Sequence, residues 1–231
     1  MGSFVELTAV DGAKIPAYVA KPEGAARGAI VVLQEIFGVN SHIRSVADRY
    51  AAQGYVAVAP ATFQRVQPDV ELGYTDADMK QGFALKTAVE ALPEPGVLRD
   101  VEAAVAHAAE LVPGGKVGAV GFCWGGLMTW RAACNLDTLS AAVCYYGGGM
   151  TGELEASRQA LCPVLAHFGA KDHYISLESV EAFKLAQPKV EVHIYEADHG
   201  FNCDQRGSYN EAASKKANER TLAFFAEHLQ A

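Results

Sequence analysis

The sequence predicts an α/β architecture: a mostly parallel central sheet with helices on both faces, forming one domain over residues 1–231. Short β-rich runs alternate with longer segments of helical periodicity along the whole chain. The run GAIVVLQ (28–34) is continuously apolar, as a strand buried on both sides must be. No internal repeat, low-complexity tract or linker interrupts the pattern, and a chain of 231 residues can bury one large core.

The elements follow in order. Strands are expected at Lys14–Ala20, Ala29–Gln34, Tyr55–Ala59, Lys116–Val120, Ala141–Tyr146, Val164–Phe168 and Val190–Tyr195. Helices are expected at Ser41–Gln53, Asp78–Ala91, Val97–Leu111, Trp124–Cys134, Leu177–Ala186 and Tyr209–Leu229. Ser41 and Ser176 suit N-cap positions, and Gly54 follows a helix end where a left-handed residue is favoured. Pro93, Pro95 and Gly96 read as a joint between two helices. The segment Pro60–Asp78 has little periodicity and is expected to lie across the mouth of a pocket.

Half the residues are apolar and a fifth are charged, and 27 acids against 19 bases give a formal net charge of −8. No Lys/Arg cluster interrupts that balance, so nucleic acid and anionic membrane surfaces would be repelled. No basic stretch followed by an apolar one marks a signal peptide, and no apolar run approaches the roughly 18 residues of a spanning helix. Five cysteines, odd in number and without CxxC pairing, argue against a disulfide framework or metal site and for a reducing cytoplasm.

The chemistry begins at VGAVGFCWGGL (117–127), where Gly121, Cys123 and Gly125 form Gly-x-Cys-x-Gly between an expected strand and an expected helix. That spacing and context belong to a nucleophile turn that ordinarily carries serine. A strand turning sharply into a helix holds its central residue above the sheet's carboxyl end, and the helix N-terminus beneath favours negative charge. A buried, inert thiol is the alternative, and the reading for Cys134, Cys144 and Cys162.

A nucleophile needs a base, and the base needs an orienting acid. His167 and His193 lie inside strand patterns, and His228 is near the end of the last helix. His199 differs: it follows the strand VEVHIY in the turn EADHGF. Asp172, in the loop after PVLAHFGAK, stands where the acid of the order nucleophile–acid–histidine belongs. Asp198 is the rival, although adjacent side chains on extended backbone diverge. Glu35, directly after the apolar strand AIVVLQ, is placed either to keep a resting thiol neutral or to accept its proton.

Together these residues resemble the dienelactone hydrolase family (carboxymethylenebutenolidases) of the α/β-hydrolase fold. The likeness spans nearly the whole chain, through QEIFGVN (34–40), GFCWGG (121–126), YYG (145–147), GAKDH (169–173), DHGF (198–201) and NERTLAF (218–224). It implies a Cys123–His199–Asp172 triad with Glu35 near the thiol, and an oxyanion hole from the backbone N–H groups of Ile36 and Trp124. It implies substrate contacts from Tyr145, and from Phe37 and Phe201 within the motifs. The family pattern also implies two arginines for a substrate carboxylate. At one of those positions this chain has Cys203, and near Lys80–Gly82 it has no arginine; Arg206, three positions late, and Lys80 are the stand-ins. The expected activity is cofactor-free hydrolysis of a small ester or lactone by a monomer or weak homodimer. A broad carboxylesterase or phosphotriesterase is the alternative within catalysis. A redox-active thiol protein and a non-catalytic binding module are the alternatives outside it.

Overall fold

The computed structural model describes residues 2–230. Eight strands form one sheet: β1 (Ser3–Thr8), β2 (Lys14–Ala20), β3 (Ala29–Leu33), β4 (Val56–Pro60), β5 (Val117–Phe122), β6 (Ala141–Tyr145), β7 (Val164–Gly169) and β8 (Glu191–Tyr195). Their spatial order is β1-β2-β4-β3-β5-β6-β7-β8. β1 and β2 are antiparallel to their neighbours, and all pairs from β4 to β8 are parallel. The parallel strands β3 to β7 are buried along their full length, which explains their unbroken apolar runs.

The helices are α1 (Ser41–Ala52), α2 (Asp76–Glu90), α3 (Leu98–Leu111), α4 (Trp124–Asn135), α5 (Glu153–Ala156), α6 (Leu177–Ala186) and α7 (Glu211–His228). Tyr50 of α1 meets Phe225 of α7 edge to face over one side of the sheet. α4 packs on β5 and β6 beside α3, and Trp130 of α4 meets Phe183 of α6. No helix among the described residues is long and apolar enough to cross a membrane.

Two elements escape the sequence pattern. β1 is an edge strand with only Leu7 buried, so it shows no apolar face to read. α5 is a single turn, too short for helical periodicity. The cap of α1 is Asn40, whose side chain accepts from Ile43 N–H, rather than Ser41. Ser176 does cap α6, accepting from Ser179 N–H.

The segment between β4 and α2 braces the site instead of crossing its mouth. Phe63 stacks on Trp124 with ring centroids 5.1 Å apart. Glu71 pairs with Gly38 as an isolated bridge, and Leu72 N–H donates to Phe37 C=O at 2.9 Å. These contacts hold the loop after β3 in place.

Candidate active site

β5 passes into α4 through Cys123, whose backbone lies at φ 56°, ψ −121°. A non-glycine residue there carries strain of about 1–3 kcal/mol, sustained by the packing around it. That packing explains the flanking glycines. A Cβ on Gly121 would meet Gly125 C=O, and one on Gly125 would meet the carbonyl oxygens of Leu33 and Gln34. Cys123 N–H donates to Tyr145 C=O at 3.0 Å, fixing the turn to the end of β6. The side chain is half-buried above the sheet, and α4 starts at the next residue.

His199 stands in the turn after β8, with Nδ1 2.8 Å from Asp172 Oδ2. Asp172 is itself held: its Oδ1 accepts from Tyr174 N–H at 2.8 Å and Ile175 N–H at 3.1 Å. The acid and the ring are both buried. Burial opposes charge on His199, but the Cys123 thiolate and the hydrogen bond to Asp172 outweigh it and push the imidazole up to about 10. Cys123 and Asp172 thus both favour the protonated form of the ring. Asp198 turns the other way, accepting from the His199 backbone N–H at 2.6 Å and meeting His173 Nδ1 at 3.0 Å.

Glu35 is buried at the end of β3, with Oε1 3.0 Å from Arg206 Nη1 and Oε2 accepting from Tyr74 O–H at 3.2 Å. Arg206 is clamped as well. Its guanidinium lies 5.7 Å from the Phe37 ring centroid, and Gly200, at φ 79°, leaves the room a Cβ would take from it. The cleft above Cys123 encloses about 450 Å³, including space open to solvent. Met79, Phe83 and Lys86 of α2 form one wall, while Ile36, Trp124, Tyr174, His199 and Arg206 complete the site around the thiol. The N–H groups of Ile36 and Trp124 find no backbone acceptor among the described residues.

The family model described as dienelactone hydrolase matches residues 15–229. The chain belongs to the dienelactone hydrolase family. It is 35% identical over 229 residues to the carboxymethylenebutenolidase of Pseudomonas putida, covering 96% of this chain and 95% of that one. A Klebsiella pneumoniae structure assigned to the dienelactone hydrolases superposes with a TM-score of 0.84 at 32% identity, covering 98% of each chain. A dienelactone hydrolase-like promiscuous phosphotriesterase from metagenomic libraries superposes with a TM-score of 0.76 at 25% identity, covering 99% of each chain.

Within this dienelactone hydrolase frame, most of the residues singled out in the sequence converge. Cys123, His199, Ile36, Phe37, Trp124 and Arg206 all line the cleft, with Asp172 behind His199 and Glu35 behind Arg206. Tyr145 does not line it. Being the last residue of β6, it faces the α7 side and bonds Thr221 at 2.7 Å. The next residue, Tyr146, turns at φ 37° toward the site, its ring centroid 5.1 Å from that of His199. Tyr146 lies just past the strand, and its left-handed turn carries the ring to the other side of the sheet's end.

Phe201 is buried among Tyr145, Tyr146 and Tyr195 rather than lining the cleft. Lys80 is exposed and off the wall that Met79, Phe83 and Lys86 form at helical spacing, so Lys86 is the α2 cation at the cleft. Cys203 is buried behind Glu35, where burial and the Glu35 charge push its thiol up to about 12. Arg206 reaches the position Cys203 leaves because Cys203 N–H bonds Gly200 C=O and Arg206 N–H bonds Cys203 C=O. Turns of three residues bring positions 203 and 206 to the same side. His42, whose Nδ1 lies 3.1 Å from Asp204, gave no sequence signal and is fully buried near Glu35.

Proposed function

We propose that this chain hydrolyses lactones or activated carboxylic esters through a thioester acyl-enzyme, with Cys123 as nucleophile. The observation that carries this reading is the strained Cys123 at the start of α4 beside an Asp172-held, proton-retaining His199. The thiolate attacks the carbonyl carbon, and the oxyanion forms where the N–H groups of Ile36 and Trp124 are free to donate. Each such donor is worth roughly 3–4 kcal/mol when removed. The enolate or alkoxide leaves, protonated by His199. The neutral imidazole then takes a proton from water as the water oxygen attacks the thioester, and collapse of the tetrahedral intermediate expels the Cys123 thiolate beside the reprotonated His199. Asp172 fixes the tautomer throughout. Thiolate is a better leaving group than an unprotonated amine or alkoxide, so the tetrahedral intermediate partitions toward product most readily with activated esters and lactones.

Arg206 and Lys86 give the cleft a cationic side, and a carboxylate on the substrate would compete with Glu35 for Arg206. The second reading is a broader esterase and phosphotriesterase on the same residues. The likeness to the promiscuous phosphotriesterase supports it, since a phosphoryl oxygen needs the same donors.

The test compares a dienelactone, a small p-nitrophenyl ester and a phosphotriester on wild type and Cys123→Ala, with intact-mass trapping of the acylated protein. Cys123→Ala should abolish turnover of each, and the acyl adduct should appear on wild type alone. Turnover surviving in Cys123→Ala would remove Cys123 as the nucleophile.

A further inference from the structure

We propose that Glu35, His42 and Cys203 form a binding site for a thiophilic divalent cation of the zinc and cobalt class, behind the Arg206 wall of the cleft. One donor atom from each lies within 4.8 Å of the other two, and all three residues are buried. The hydrolytic reading uses neither His42 nor Cys203, and the site stands whether or not that reading holds.

The His42 ring carries the argument. It is 0% exposed, yet its Nε2 has no hydrogen-bond partner among the described residues. Nδ1 faces Asp204 Oδ1 at 3.1 Å. An ionised carboxylate only accepts, so Nδ1 carries the proton and Nε2 keeps its lone pair free. An imidazole donating its far N–H to a carboxylate is the arrangement that orients metal-ligating histidines and raises their basicity. The adjoining donors are a thiol and a carboxylate. A sulfur, a nitrogen and an oxygen donor together suit zinc-class ions and do not suit calcium or magnesium.

The charges also fit. With Cys203 as thiolate, the carboxylates of Glu35 and Asp204 bring the negative groups to three, against two cations, Arg206 beside Glu35 and Arg49 at 3.4 Å from Asp204 Oδ2. The balance stays negative and so favours a bound cation. Glu35 already meets Arg206 and Tyr74, and an ionised carboxylate has about four acceptor directions, so ligation need not break the Arg206 pair. On binding, the Cys203 S–H bond breaks, a sulfur–metal bond forms and the proton passes to solvent, with no electron transferred.

The test titrates Co2+ alone into the intact, reduced protein, following thiolate-to-cobalt charge-transfer absorption and calorimetric affinity. The cleft offers a rival thiol and imidazole in Cys123 and His199, so Cys123→Ser is the control. Binding at one ion per chain is expected in wild type and in Cys123→Ser, with the charge-transfer band lost in Cys203→Ser. Asp204→Asn should weaken affinity roughly 10–100-fold. The Asp204 side chain is 47% exposed, so that variant keeps the test open if a change at buried Cys203 prevents folding. A band that disappears in Cys123→Ser but persists in Cys203→Ser and Asp204→Asn would overturn the proposal, and so would no band in wild type.

Discussion

At the scale of single residues, the decisive feature is how two aspartates divide around His199. Asp172 grips the ring from a buried position supported by two backbone donors, whereas Asp198 holds only the His199 backbone and an exposed neighbour. Removing the charge of Asp172 lets an amide donate to Nδ1 and fixes the wrong tautomer. Asp172→Asn should therefore lower kcat by about 10⁴-fold, the scale of that change in serine triads. Asp198→Asn, which keeps an acceptor oxygen, should leave kcat within a small factor; the reverse ranking in steady-state kinetics would transfer the orienting role to Asp198. The same ring allows a pH prediction. Folded His199 holds its proton up to about 10, above the unfolded value of about 6.5. Its contribution to stability is thus fully present below about pH 6.5 and is lost as the pH rises through about 10. In Cys123→Ala the thiolate is absent, burial has less opposing it, and the ring's pKa should fall. An NMR titration of His199 that gives the same midpoint in both proteins would show that Cys123 is not a cause of the raised value.

At the scale of elements, the site depends on how closely β3, β5 and α4 approach at the turn. Gly125 brings α4 against the carbonyl oxygens at the end of β3, where a Cβ would overlap both Leu33 O and Gln34 O. Those atoms are backbone in a buried parallel sheet and have nowhere to yield. Gly125→Ala should destabilise by about 1–3 kcal/mol or more, the range for overpacking. Gly207→Ala meets nothing within 4 Å and should be neutral or slightly stabilising. Urea unfolding of the two variants checks the contrast, and equal midpoints would mean α4 shifts freely on the sheet. The glycines of this turn were legible because their spacing encodes that approach, as were the buried strands through their continuous apolar runs. Tyr146 was not, because the end of β6 is set by a backbone turn that composition does not mark. Nor were β1, most of whose side chains face water, or Lys86, whose place depends on the rotation of α2 about its axis. The loop geometry that carries Arg206 to the cleft likewise arises from two backbone turns and from Gly200, whose positive φ is invisible in a linear pattern.

At the scale of the molecule, charge sets a conflict that one pair of residues must resolve. The net charge of −8 disfavours the approach of any anionic ester, while the cleft places Arg206 and Lys86 beside the thiol. Any preference for a substrate carboxylate would then have to arise locally, at short range and in partial burial, where a charge-assisted hydrogen bond contributes about 1.5–3 kcal/mol. Replacing Arg206 alone would leave Glu35 buried without its counter-ion and confuse binding with unfolding. The informative comparison is Glu35→Gln against Glu35→Gln/Arg206→Gln, in which the buried partner is neutral in both proteins. Each is assayed on an ester bearing a terminal carboxylate and on its uncharged analogue of equal length. Loss of Arg206 should reduce the anionic-to-neutral ratio of kcat/KM by about tenfold or more, mainly through KM, since the interaction is made in ground state and transition state alike. The neutral ester should report whether the hydrolytic centre itself survives. A ratio that does not change would show that Arg206 only neutralises Glu35, leaving Lys86 as the cation that meets a substrate anion.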